Sequence, residues 1–202
     1  NNNDNEKVEL KVYYETHCPY CIEFDTGDLI SGVKKLGQYL NIHMYPYGNA
    51  KTIDDNGTYT FKCQHGPDEC YGNKLDACAI YLLGNITEAI FFNSCMMDRS
   101  QSNGYSDDAS ADKCGSILHI DSEPIKECAK GAKGSELLKH YGDESNKVNF
   151  PGVPYVLING QEFNDDFIRS LCAAFDQPPP PCTHQENLMN PISSQQRKCF
   201  KK

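Results

Sequence analysis

No stretch of this sequence stays apolar for the ~20 residues that a membrane-spanning helix needs, so no span is expected. The opening NNNDNEKVEL lacks the charged-then-apolar order of a targeting signal, and the chain is read as a soluble, processed segment. Basic runs are also missing: the final QRKCFKK is short and terminal, and the formal net charge is -9. A nucleic-acid partner, whose phosphates ask for a positive surface, is therefore not expected. The pattern shows no internal repeat and no second core. At 202 residues this points to one domain with insertions.

Cysteine, by contrast, is abundant. Eleven thiols are a liability in a reducing cytosol and indicate an oxidising compartment. Two N-glycosylation triplets, at Asn56 and Asn85, agree with passage through a secretory route.

VELKVYY alternates Val8, Leu10 and Val12 with polar neighbours, the period of a half-buried strand. It gives way to a helical stretch from Pro19, in which Leu29, Val33, Leu36 and Leu40 recur on one face. NIHMYPYGN reads as a second strand stopped by Pro46 and Gly48. The region from about 50 to 149 is polar and cysteine-rich. It carries short helical patterns (Leu75, Cys78, Ala79, Leu82; a helix bracketed by Pro124 and Gly131) and is read as a helical insert. VPYVLINGQEF is a hairpin turning at Asn159-Gly160. A helix through Phe167, Ile168, Leu171, Cys172 and Phe175 follows, capped by Asn164 or Asp165. From Gln177, four prolines (Pro178 to Pro181) suggest an extended polyproline course. The order is thus β-α-β, helical insert, β-β-α over residues 1–176, with a proline-rich tail over 177–202.

At the first strand-to-helix junction lie Cys18 and Cys21, spaced CxxC. Such a pair is a redox centre, half of a zinc site or a small structural disulfide. The element order around it is that of a thioredoxin-like α/β fold. Val153-Pro154, opening the third strand, matches that fold's cis-proline loop. Pro19, Tyr20, Val153 and Pro154 are accordingly the candidate substrate-binding residues. A zinc cluster can also be drawn from Cys63, His65, Cys70 and Cys78, but an oxidising route favours cross-links there.

The stretch CQHGPDECYGNKLDAC resembles the signature of the gamma-interferon-inducible lysosomal thiol reductase family at Cys63, Gln64, His65, Gly66, Glu69, Cys70, Asn73 and Cys78. The resemblance continues through YYETHCPYC, YPYGNA, VPYVLING, LCAAF and the terminal KCF, with Tyr155 standing where many members carry Trp. It implies a thioredoxin core with a helical insert that reduces disulfides of protein substrates at acidic pH. It places the protein in a lysosome or related compartment, or outside the cell. A small thiol is the expected recycling partner; no cofactor or metal is expected. The signature residues themselves are read as builders of a turn and helix rather than as catalytic groups.

Disulfide reduction needs an attacking thiolate and a second thiol that resolves the mixed disulfide. Cys18, ahead of the helix, is expected to be exposed and stabilised as a thiolate by the helix dipole; Cys21, one turn in, is shielded and resolves. His17 could assist as a neighbouring cation. Nine cysteines remain. That odd number leaves one free, paired between chains in a disulfide-linked dimer, or joined to a processed segment, and Cys199 is the candidate. Cys70 and Cys78, ~12 Å apart along one helix, cannot pair with each other. The rival reading is a secreted, disulfide-rich binding protein that keeps the scaffold without turnover.

Overall fold

The computed structural model describes residues 7–163, 166–183 and 196–202. A four-stranded sheet runs in the order β2-β1-β6-β7. Strand β1 (Val8–Tyr14) lies parallel to β2 (Leu40–Pro46) and antiparallel to β6 (Tyr155–Ile158), which pairs in turn with β7 (Gln161–Glu162). Parallel neighbours need a crossover, and the helical stretch from Pro19 supplies it. It comprises α1 (Pro19–Phe24), a π turn over Asp25–Leu29, α2 (Ile30–Leu36) and a closing 3-10 turn, Gly37–Tyr39. Leu29, Val33 and Leu36 face the sheet as the spacing predicts, but Leu40 belongs to β2, because the 3-10 turn ends the helix before it. Leu10, Val12, Leu36, Val156 and Leu171 are among the core residues with at most 1% exposure.

The hairpin β6-β7 turns at Asn159 and Gly160, both with positive φ (47° and 79°), the geometry a two-residue type I′ turn requires. Asn159 also fastens it to β1, accepting from the Glu9 N–H at 2.9 Å. Helix α8 (Phe167–Ala173) follows. Its cap is Asp166, whose carboxylate accepts from the Arg169 N–H at 2.8 Å. The expected caps Asn164 and Asp165 lie outside the described residues.

The insert departs from expectation twice. First, it opens with a hairpin, β3 (Lys51–Asp55) and β4 (Thr58–Lys62), turning at Asn56-Gly57 with φ of 51° and 87°. Tyr59 and Phe61 alternate with polar neighbours on β4 and are partly covered, but β3 is exposed at all but one position, so only half of the hairpin carries a strand pattern. Second, the helices α3 (Pro67–Leu83), α4 (Ile86–Met97), α5 (Asp108–Leu118), α6 (Glu123–Lys130) and α7 (Ala132–Asn146) enclose a second apolar cluster. That cluster is built around Leu75, Phe92, Met96 and Ile125 with Ala and Cys between them. Small residues and disulfides leave only a weak periodic signal, which is why the sequence shows no second core. Cys78–Cys128 links α3 to α6 and Cys95–Cys114 links α4 to α5.

The tail also differs from a polyproline course. Pro180–Thr183 form a helical turn, α9, and Cys182 is bonded to Cys172 of α8. Pro154 divides the expected third strand. Residues before it form β5 (Gly152–Val153), which pairs with the terminal β8 (Cys199–Phe200), while β6 begins after it.

Asn56 is exposed at its hairpin tip, and Asn85 is exposed as the cap of α4, accepting from the Glu88 N–H at 3.1 Å. Replacing Cys95 and Cys114 together by Ala is expected to lower unfolding stability by ~3 kcal/mol, the usual contribution of a bridge closing a loop of this length. Denaturant unfolding measures it. A loss below ~1 kcal/mol would show that the second cluster does not depend on its staple.

Candidate active site

Cys18 is the N-cap of α1: its φ and ψ are -68° and 121°, Pro19 occupies the first helical turn, and the Ile22 N–H donates to the Cys18 carbonyl at 3.0 Å. The sulfur thus stands at the positive end of the helix, as the junction predicts. Its exposure does not. Cys18 is fully buried and bonded to Cys199, with Cα atoms 6.2 Å apart. The tail causes both, since β8 returns along β5 and carries Cys199 over the helix start. Cys199 is therefore bonded within the chain in this structure, and the leftover thiol is Cys21, buried one turn into α1.

The two sulfurs of the CxxC differ in kind. Burial, and then the Asp25 carboxyl, push the Cys21 thiol well above its ordinary range, with a backbone hydrogen bond from Glu15 acting the other way. His17 is half-buried, and desolvation lowers its pKa, so the cation that could assist Cys18 is disfavoured by its surroundings. Its ring meets Tyr105 edge-on at 5.7 Å.

The other sequence candidates gather as follows. The Val153-Pro154 bond is cis, and the Val153 carbonyl oxygen lies 3.7 Å from Cys18 Sγ. Pro154 is buried, and its carbonyl accepts from Lys198 Nζ at 2.7 Å. Pro19 is exposed, and Tyr20 is partly buried beneath the Arg197 guanidinium, 4.9 Å from the ring centre.

The residues from Cys63 to Cys78 build the wall behind this site. Cys63 pairs with Cys70, and Cys78 pairs with Cys128, so these sulfurs are cross-links rather than metal ligands. Gly66, with φ of 93°, opens α3. From that helix Asn73 Oδ1 accepts the Thr16 N–H at 3.0 Å and Glu69 Oε2 accepts the His17 N–H at 3.2 Å. The loop that delivers Cys18 is thus held by its backbone from one helix face. The helix comes close enough that a Cβ on Gly72 would meet Thr16 Oγ1 at 2.6 Å. His65 pairs with Glu69 at 2.7 Å and approaches Glu15 at 3.3 Å. Glu15, His65 and Glu69 each offer a donor atom within 4.8 Å of the others, a set that could also hold a divalent cation.

Sequence reasoning missed Glu15, Asp25, Asp76 and Asn49. Glu15 and Asp76 are fully buried, and Asp25 nearly so. Burial, with Glu69 adding to it, pushes the Glu15 carboxyl up to about 8, and burial pushes Asp76 up to about 7 despite a 2.6 Å hydrogen bond from Tyr14 Oη. Asp25 is raised well above the carboxylate range by burial and by Asp76. The one available signal was an acidic residue three positions before the CxxC.

The model of the family described as gamma interferon inducible lysosomal thiol reductase (GILT) matches residues 9–117. The chain belongs to this family. A relative of that name from Carassius auratus is 34% identical over 162 residues, covering 78% of this chain and 62% of its own. A "Gamma-interferon-inducible lysosomal thiol reductase-like protein" from Anopheles gambiae is 32% identical over 209 residues, covering 93% of this chain and 85% of its own. Among solved structures, an oxidised DsbA1 mutant superposes with a TM-score of 0.51 at 12% identity, covering 85% of this chain and 82% of its own. A thioredoxin-like oxidoreductase from Silicibacter pomeroyi gives 0.50 at 12% identity, with 79% of each chain covered. The fold of this GILT-family chain is thus the thioredoxin-like one, with a helical insert.

A carboxyl whose pKa rises on folding favours the folded state while protonated, fully below its unfolded pKa, and loses that contribution as pH climbs to the folded value. Glu15, Asp25 and Asp76 all act in this sense; His17, shifted downward, opposes them. Unfolding stability is therefore expected to fall by at least ~1 kcal/mol between about pH 5 and about pH 8. Denaturant titrations across that window, disulfides intact, measure it, and a stability that climbs steadily to pH 8 would contradict the assignment.

Proposed function

We propose that this chain is a thiol reductase that opens disulfides of protein substrates in an acidic lumen, lysosomal or extracellular, using Cys18 as the attacking and Cys21 as the resolving sulfur. Family membership supports the reaction class. The observation that carries the assignment of roles is position at the helix start: both sulfurs are buried, but Cys18 caps α1 while Cys21 lies one turn in behind it.

The steps follow from exchange chemistry. Reduced Cys18 ionises, its thiolate attacks one substrate sulfur, and the other substrate sulfur leaves as a thiolate that takes up a proton. Cys21 then gives up its proton and attacks Cys18 Sγ; the mixed disulfide breaks, the second substrate thiol departs, and a Cys18–Cys21 disulfide remains. Two equivalents of a small thiol return this bond to the dithiol and leave as their own disulfide. Acidic operation is demanding, since a thiol of ordinary pKa ~8.5 is only about 0.03% ionised near pH 5, whereas a cysteine at a helix start can reach ~3.5 to 7.5. Burial and the Asp25 carboxyl disfavour the Cys21 thiolate even beside a bonded Cys18, so the resolving step is the one that must remove a proton from a buried thiol. Cys199, the candidate sulfur for a disulfide-linked dimer, is bonded within the chain in this structure and would be open to such a bond only once exchanged off Cys18.

Cys18→Ser is expected neither to turn over nor to capture a denatured disulfide protein. Cys21→Ser, made together with Cys199→Ser to remove the other sulfur within bonding reach of Cys18, should accumulate a mixed disulfide through Cys18, visible on non-reducing gels and released by small thiols. Trapping by the first variant and not the second would reverse the roles. If neither traps and the intact chain turns over no disulfide, the binding-scaffold reading takes over. Expression through a secretory route should add glycans at Asn56 and Asn85, read as a mass shift on glycosidase treatment that disappears in the Asn56→Gln, Asn85→Gln double variant. An unshifted mass would count against both sites.

A further inference from the structure

The terminal strand is bound to the site by more than its disulfide. Gly152 stands opposite Phe200 and Val153 opposite Cys199 in the β5-β8 ladder. Asn49 Nδ2 donates to the Cys199 carbonyl at 2.9 Å and to Gln64 Oε1 at 2.8 Å, and Gln64 Nε2 donates to the Phe200 carbonyl at 2.9 Å. The Lys201 N–H donates to the Pro151 carbonyl at 2.9 Å. Lys198 reaches both the Pro154 carbonyl and Glu162, the latter at 2.8 Å. These contacts read mainly main-chain atoms, while the Phe200 side chain is 61% exposed. A segment held by its backbone along a strand edge, with its cysteine joined to Cys18, has the geometry of a mixed disulfide with an extended polypeptide.

We propose that Cys199 is a third redox-active cysteine of this site, and that its strand fills the place of an extended disulfide substrate until Cys21 exchanges into the Cys18–Cys199 bond. The inference rests on the reading of Cys18 and Cys21 as the reacting pair. In the exchange the Cys21 thiolate attacks Cys18 Sγ, the Cys18–Cys21 bond forms, the Cys18–Cys199 bond breaks, and Cys199 leaves as a thiolate that takes up the proton Cys21 released. Nothing is oxidised or reduced overall. The strand is then held by hydrogen bonds alone and can vacate the β5 edge. Asn49 and Gln64 become positioning residues that a substrate backbone would meet next. Until it leaves, the tethered Cys199 competes with free substrate at an effective concentration of order millimolar.

The test maps the disulfides of the full chain, oxidised with glutathione disulfide, equilibrated, acid-quenched, alkylated and digested without reduction. The wild type is expected to yield both Cys18–Cys199 and Cys18–Cys21 peptides. Gln64→Ala, which removes a hydrogen bond to the strand and no sulfur, should shift the ratio toward Cys18–Cys21. Cys21→Ser should show Cys18–Cys199 alone. Cys199→Ser should show Cys18–Cys21 alone and, recycled by an excess of a small thiol, should reduce a disulfide peptide at concentrations well below millimolar with an initial rate about tenfold above wild type. A wild type holding only Cys18–Cys21 would overturn the proposal, as would a Cys18–Cys199 bond that never exchanges, or a Cys199→Ser rate no higher than wild type. If both bonds interconvert while no variant turns over a disulfide, the exchange stands and the reductase reading fails.

Discussion

A buried carboxylate and a buried amide on α3 fix the backbone from which Cys18 departs. Glu69 and Asn73 are both fully buried, and a polar group in that position is costly unless it is hydrogen-bonded. The partners they find are the His17 and Thr16 N–H groups. These are the donors that a strand running into a helix leaves without partners. With the loop fixed, the next residue falls at the cap of α1, so a helix in the insert determines where the Cys18 sulfur sits. The signature residues need not touch a substrate to matter. Removing the Glu69 carboxylate would leave the His17 N–H and the His65 N–H without their acceptor.

The same packing links the site to acidity. Glu15 emerges from β1 beside Glu69, its carboxyl folded against the loop around Gly48 and accepting the Asn49 N–H at 2.8 Å. Gly48 has φ of 64° and lies so close to that carboxyl that a side chain would displace it. Burial, with the Glu69 charge adding to it, favours a proton on Glu15. Asn49, one residue on, also holds the terminal strand. One loop therefore touches the buried acid, the family signature and the segment bonded to Cys18.

Much of this was legible in the sequence, for local reasons. The alternation of Val8, Leu10 and Val12, the change of period at Pro19, and Asn159-Gly160 between two apolar runs each report a short-range steric preference, and each element stands where those residues place it. Asn56-Gly57 carried the same turn signal, but alternation flanks it on one side alone, in Tyr59 and Phe61, because β3 is almost wholly exposed. The partner of Cys18 was illegible for a different reason: Cys199 is 181 positions away, and pairing at such range depends on where the whole chain folds. The buried acids share that difficulty. Glu15, Asp25 and Asp76 look like surface residues until the helices close over them, so their altered protonation belongs to tertiary structure alone.

The central claim is that the start of α1 makes Cys18 a thiolate at acidic pH. The rate of Cys18 alkylation in the fully reduced full-length chain, followed by mass spectrometry across pH, measures this most directly. The account predicts an apparent pKa for Cys18 within the ~3.5 to 7.5 range of helix-start cysteines, with Cys21 unreactive over the same range. A Cys18 profile that rises only near the ordinary value of ~8.5, or a Cys21 that reacts first, would contradict it.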